Sequence, residues 1–151
     1  MAFPPSKAMA MALDEARAAA ARGEVPVGAV ISDAAGNVLA AAGNRTREQH
    51  DPTAHAEMLA IRAACAAIGS ERLTGCTLTV TLEPCAMCAA AIAAARIGRV
   101  IYGASDPKSG GVVHGARVFS HAQSHHRPEV IAGVAEAPAA QLLQDFFASR
   151  R

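Results

Sequence analysis

The chain has 151 residues, 52% of them hydrophobic and only 3% aromatic, with a formal net charge of +1. That length and apolar content suit one compact domain, residues 1–151, with a single core rather than two domains and a linker. Near-neutral charge gives none of the global signature of a nucleic-acid binder, and no run approaches the eighteen or so apolar residues of a membrane span. Asp14 and Glu15 interrupt the N-terminal Ala/Met stretch before it reaches signal-peptide form, so the chain reads as soluble and cytoplasmic, with no membrane partner.

In chain order, Ser6 to Arg22 carries good helix formers, with Met9, Leu13, Ala16 and Ala20 at helical spacing and Gly23 as a stop. Val25–Ile31 and Val38–Ala42 are short apolar runs around Asp33-Ala34-Ala35-Gly36-Asn37, the pattern of an antiparallel hairpin. A polar stretch follows. Asp51 as N-cap with Pro52 at the first helical position, or Thr53 as N-cap, then predicts a helix through Met58, Ile61, Cys65 and Ile68, closed by Gly69.

Thr77–Leu82 alternates and is rich in β-formers. Pro84 precedes an alanine-rich helix running to about Arg96, and Val100-Ile101-Tyr102 between Gly98 and Gly103 predicts the next strand. Gly103 to Arg127 is mostly loop, with a short helix near Arg117 to Ser120. Val130-Ile131 closes the set of strands, and a last helix spans Ala137 to Ser149 with Leu142, Leu143, Phe146 and Phe147 on its inner face. The alternation predicts an α/β fold in which helices cover both faces of a sheet.

Of the four cysteines, Cys65, Cys76, Cys85 and Cys88, the last two form a close pair. In a reducing compartment such a pair points to metal or redox chemistry. In Pro84-Cys85-Ala86-Met87-Cys88 the thiols stand at i and i+3 in the first turn of a helix, on one face, where the helix dipole and free N–H groups favour the thiolate. His55-Ala56-Glu57 lies near the start of the other predicted buried helix. Residues two apart in mid-helix point about 200° apart, so a metal shared with His55 would have to sit over that helix's N-terminal end.

Three protein ligands, His55, Cys85 and Cys88, with a fourth position left to water describe a catalytic zinc site. Bound zinc lowers the pKa of its water to about 7, and Glu57 beside the open position can take that proton and return it to a leaving group. The two halves together are the H-x-E and P-C-x-x-C signature of zinc-dependent nucleobase deaminases, which add water to an amine-bearing ring carbon and release ammonia. Two other readings stay open at this point. A C-x-x-C pair alone can be a redox couple, which gives His55 and Glu57 no role, and a structural zinc can recruit Cys65, Cys76 or one of His114, His121, His125 and His126 as a fourth ligand.

Around these motifs the sequence resembles the cytidine-deaminase-like superfamily and, more closely, the bacterial tRNA-specific adenosine deaminases. The resemblance runs through Glu24-Val25-Pro26-Val27-Gly28-Ala29-Val30, Asn44-Arg45, His50 to Glu57, Thr81 to Cys88, Arg96 to Val100, Tyr102-Gly103-Ala104, Asp106-Pro107-Lys108 and Asp145-Phe146-Phe147. It is weakest between Gly111 and Pro128. It implies a three-layer α/β/α, cytidine-deaminase-like fold with a mixed five-stranded sheet. It also implies one Zn²⁺ per chain, a homodimer, and deamination of adenosine to inosine at the wobble position of a tRNA anticodon loop by zinc-hydroxide attack at C6.

By position, the resemblance gives Asn44 a hydrogen bond to the flipped base, Val27 a place in the pocket wall and Asp106 a contact with the ribose. Each has a plainer reading, since Asn44 can cap a turn, Val27 can be core and Asp106 before Pro107 is a good turn residue. From Arg96 to Arg127 five basic residues face one acid, a local +4 against −3 elsewhere. That segment and the C-terminal helix with Arg150 and Arg151 would flank the RNA. Relatives acting on free bases or nucleosides such as guanine or cytosine share the zinc and glutamate machinery and form the rival reading.

Overall fold

The computed structural model describes residues 6–150, so Arg151 lies outside the described residues. Its elements are α1 (Lys7–Ala21), β1 (Gly28–Ser32), β2 (Val38–Gly43), α2 (Ala56–Ile68), β3 (Thr77–Leu82), α3 (Ala86–Ala94), β4 (Arg99–Ala104), a 3₁₀ turn (Val118–Ser120), β5 (Glu129–Ile131) and α4 (Glu136–Ala148). The five strands form one mixed sheet in the order β2-β1-β3-β4-β5. β1 is antiparallel to both β2 and β3, whereas β3, β4 and β5 run parallel.

Two apolar clusters show why this sheet is a middle layer. Ala29 and Ile31 of β1 join Leu78, Val80, Val100 and Tyr102 beneath α2 and α3. Val30, pointing the other way as strand alternation requires, packs with Met9, Leu13 and Ala139 of α1 and α4. All five residues of β1 are consequently buried. With few aromatic side chains, the layers close by near approach of backbones. At Gly28 an added Cβ would collide with the carbonyl of Ala12 in α1.

Ser6 caps α1, its hydroxyl accepting from Met9 N–H at 3.2 Å, and Gly23 follows the helix in the left-handed region at φ +85°. β1 starts three residues later than the apolar run suggests, because Val27 N–H turns back to Val25 C=O at 2.9 Å and Pro26 has no N–H for a ladder. The α2 boundary also differs from expectation. Neither Asp51 nor Thr53 caps it. Asp51 Oδ1 instead accepts from both Thr53 N–H (2.8 Å) and Thr53 O–H (2.7 Å), closing a local turn, and the N-cap is His55.

α3 ends at Ala94, short of Arg96, which adopts a left-handed φ of 62°. In α4, Ala139 and Phe146 are buried, whereas Phe147 is 50% exposed. The inner stripe runs 139, 142, 143, 146 at helical spacing, and position 147 falls off its edge, its ring standing edge-on to Phe146. Arg150 stacks over the Phe146 ring at 4.0 Å. No described helix is long and apolar enough to cross a membrane.

Candidate active site

The starts of α2 and α3 meet beside the sheet. His55 (φ −72°, ψ 153°) and Cys85 (φ −71°, ψ 173°) are the extended N-cap residues of their helices, and neither side chain is spent on capping. This resolves the opposed directions expected of positions 55 and 57, because His55 stands outside the helical turn that Glu57 has entered. His55 Nδ1 lies 3.7 Å from Cys85 Sγ and 3.5 Å from Cys88 Sγ, and the three ligand atoms are all within 4.8 Å of one another.

That triangle fits a metal. Tetrahedral zinc with Zn–N near 2.0 Å and Zn–S near 2.3 Å has N···S edges of about 3.5 Å. Among the described residues no fourth His, Cys, Asp or Glu joins this group, so Cys65, Cys76 and the later histidines do not complete a closed structural site. Glu57 is 4% exposed, and its Oε1 is a buried oxygen with no hydrogen-bond partner. Such an orphaned acceptor costs about 1–3 kcal/mol, and it marks the place where a water or substrate proton is expected.

The titration of the group follows from this crowding. Burial pushes the Glu57 carboxyl up to about 6, against the pull of its own backbone N–H and of His55. The Cys85 thiol falls to about 4, chiefly through the hydrogen bond from Cys88, with His55 also favouring the thiolate. Cys88 is pushed up, first because it is the donor to Cys85 and then by burial. His55 is raised, mainly by its contact with Cys85.

A cavity of about 230 Å³ opens onto these residues, lined by Val27, Asn44, Thr46, Leu82, Glu83, Asp106 and Ser109 as well as His55, Glu57 and Cys85. A larger cavity of about 470 Å³, near Ala93, Val118, His121 and His125, shares none of these groups. The smaller one is the site, because it brings His55, Glu57 and Cys85 together beside the apolar wall of Val25, Val27 and Leu82. Its size falls below the roughly 300–1,000 Å³ of pockets that enclose drug-sized ligands, so it suits a single base.

Known proteins match this arrangement. Residues 4–104 match the family described as the cytidine and deoxycytidylate deaminase zinc-binding region. Over 143 residues the chain is 56% identical to a tRNA-specific adenosine deaminase from Agrobacterium fabrum, covering 95% of this chain and 93% of that one. The chain belongs to the tRNA-specific adenosine deaminase family. The fold of this deaminase also superposes, at a TM-score of 0.88 and 57% identity, on a structure from a study of A-to-I editing by tRNA:A34 deaminases at the wobble position of transfer RNA. That match covers 90% of this chain and 98% of the other. A guanine deaminase from Bacillus subtilis matches more loosely, at 38% identity and a TM-score of 0.64 over 68% of this chain and 66% of that one.

In this deaminase the three residues expected to bind substrate all line the cavity, and the two polar ones have part of their bonding capacity already committed. Val27 is 5% exposed and forms apolar wall. Asn44 Oδ1 accepts from Ala56 N–H at 2.8 Å and its Nδ2 donates to Val25 C=O at 3.0 Å, leaving one amide hydrogen. Asp106 Oδ1 accepts from the N–H groups of Lys108 (3.2 Å) and Ser109 (3.0 Å), the turn role its place before Pro107 suggests.

Sequence reasoning gave no role to two buried carboxylates, Glu83 in the cavity wall and Glu24 behind the cavity-lining Thr46. Glu24 accepts from Thr46 O–H (3.3 Å), Arg47 N–H (3.2 Å) and Glu48 N–H (2.9 Å). Glu83 gathers the loop after β4. The signal available was a lone acid next to apolar residues and a proline, Glu83 directly after β3 and Glu24 in the turn that leads into β1.

Proposed function

We propose that this deaminase converts adenosine to inosine at the wobble position of a tRNA anticodon, working as a homodimer with one zinc per chain held by His55, Cys85 and Cys88. The observation that carries the reading is the buried, unpartnered Glu57 Oε1 beside a ligand triangle of tetrahedral dimensions, at the floor of a cavity sized for one base. The relatives described above support adenosine in tRNA as the substrate.

Zinc, when bound, supplies Lewis-acid activation of a water molecule. Glu57 takes one proton from the attacking water as the C6–O bond forms and delivers it to purine N1. It then passes the second proton, from the new C6 hydroxyl, to the amino group, so that the C6–N bond breaks, ammonia leaves and C6=O remains. Water and adenosine go in, and inosine and ammonia come out, so no oxidant or reductant is needed. The remaining amide hydrogen of Asn44 donates to the base, Val27 packs on its face, and the second carboxylate oxygen of Asp106 accepts from the ribose. Because the cavity encloses only the base, the rest of the nucleotide lies at its mouth. An anticodon loop offers its base at lower unstacking cost than a duplex does.

The test is a side-by-side assay of an anticodon stem-loop with adenosine at the wobble position against free adenosine, guanine and cytosine. Turnover of the stem-loop with little on the free compounds is expected. Efficient turnover of a free base with none on the stem-loop overturns the choice of substrate.

A further inference from the structure

The geometry assigns Glu83 as a positioning residue that holds the 105–114 loop against the mouth of the cavity, and thereby governs binding of the part of the substrate outside it. The carboxylate sits between the end of β3 and Cys85 and is fully buried. Its Oε2 accepts the N–H groups of Val112 (3.2 Å), Val113 (3.0 Å) and His114 (3.1 Å), while Oε1 accepts Asp106 N–H at 3.0 Å and meets the His114 ring Nδ1 at 2.8 Å. Successive N–H groups converging on one oxygen form an anion nest. Here the anion belongs to the protein.

Both ends of the loop are thus tied to one side chain, and Asp106, at the first tie, and Ser109, between the two, face the cavity. The loop is shaped for the contact. A Cβ at Gly110 would come within 2.5 Å of both Glu83 Oε2 and Asp106 C=O, so the chain can close over the carboxylate only with glycine there. Gly111 N–H adds a bond to Pro84 C=O at 2.8 Å. Glu83 reaches no reacting atom in the mechanism above. Its effect passes through the loop, and the part of the assignment that concerns the sugar rests on the reading of the substrate as adenosine within RNA.

Glu83→Gln separates the two ties. Its carbonyl can still fill the nest of three N–H groups, but its amide then faces Asp106 N–H, donor against donor. In zinc-loaded protein, amide hydrogen exchange at Asp106 is expected to accelerate with little change in the core strands. The stem-loop KM should rise about tenfold, the worth of one charged hydrogen bond, while kcat falls by a smaller factor. Combining Glu83→Gln with Asp106→Ala should raise KM no further than the larger single effect, since both act through one contact. His114→Ala removes only the ring and should change KM less.

Should Glu83→Gln fail to fold, Gly110→Ala pushes the loop off an intact Glu83 and must give the same split. In the wild-type protein the amides of residues 106 and 112–114 must be protected even though they lie in a loop. Fast exchange there overturns the assignment, as does an unchanged stem-loop KM in folded Glu83→Gln protein. A wild-type enzyme that ignores the stem-loop overturns the substrate reading together with the loop's role at the sugar. Exchange at Asp106 still decides, separately, whether Glu83 holds the loop.

Discussion

Asn44 Oδ1 accepts the N–H of Ala56 at 2.8 Å, so the first turn of α2 is capped from twelve residues upstream by a side chain that also faces the cavity. Asn44→Ala leaves that buried N–H without a partner, at a cost of about 1–3 kcal/mol, and frees the turn that presents His55 and Glu57. Thermal denaturation should show a fall of roughly 2–12 °C, accompanied by a loss of turnover. Asn44→Asp keeps an acceptor for Ala56 but removes the donor that Val25 C=O accepts and that is proposed to reach the base. It should recover more of the melting temperature than of the activity, and recovery of both together would refute a contact with substrate.

The same residue shows where the sequence stops being readable. His55, Glu57, Cys85 and Cys88 could be read as a site because metal chemistry is encoded in short spacings. The strands were legible for a related reason, since alternation and bounding glycines are local. The start of α2 was not, because Asn44 supplies its cap, while the nearer candidate Asp51 spends its carboxylate on Thr53. Glu24 and Glu83 were illegible as clamps because their partners are amides more than twenty residues away, brought close only by the sheet order. Phe147 was misassigned because an apolar residue at the margin of a helical stripe satisfies the pattern without being covered.

Glu57 can be tested apart from the metal. It is not one of the three proposed ligands, so Glu57→Gln, which is nearly isosteric, should keep one zinc per chain and an unchanged fold. Deamination should drop by about 10²–10⁴-fold, the usual contribution of a positioned acid–base group. Metal content by elemental analysis and a single-turnover assay on the stem-loop settle the point together. Activity near wild type in zinc-loaded Glu57→Gln protein would falsify the proton-transfer role.

Cys88 is fully buried and Cys85 largely so, which leaves the thiols facing the proposed metal position. Cys88→Ala should lower zinc content to well below one per chain and abolish turnover. Chelation of the wild-type protein should do the same reversibly, with added zinc restoring activity. Because an ion that binds only the folded chain stabilises it by mass action, at about 2.7 kcal/mol for a hundredfold excess over Kd, the chelated protein should also melt earlier. Equal melting temperatures with and without chelator would mean that the His55, Cys85 and Cys88 triangle holds no ion in solution.

Glu24 gives the fold a dependence on acid. Burial alone would raise its carboxyl, but the N–H groups of Glu48 and Arg47, the Thr46 hydroxyl and the charge of Arg22 outweigh burial and bring it below its ordinary 4.5. A carboxyl whose folded value lies below its unfolded one stabilises the protein above the unfolded value, and that stability is lost as pH falls through the folded one. Glu24→Gln should therefore melt lower than wild type at neutral pH, by roughly 3–12 °C for bonds to a charged acceptor worth about 1.5–3 kcal/mol. The gap should narrow as pH falls below about 4.5, where the wild-type carboxylate takes up its proton. A gap that stays constant down to the acid limit would mean that Glu24 holds the 46–48 loop by shape and not by charge.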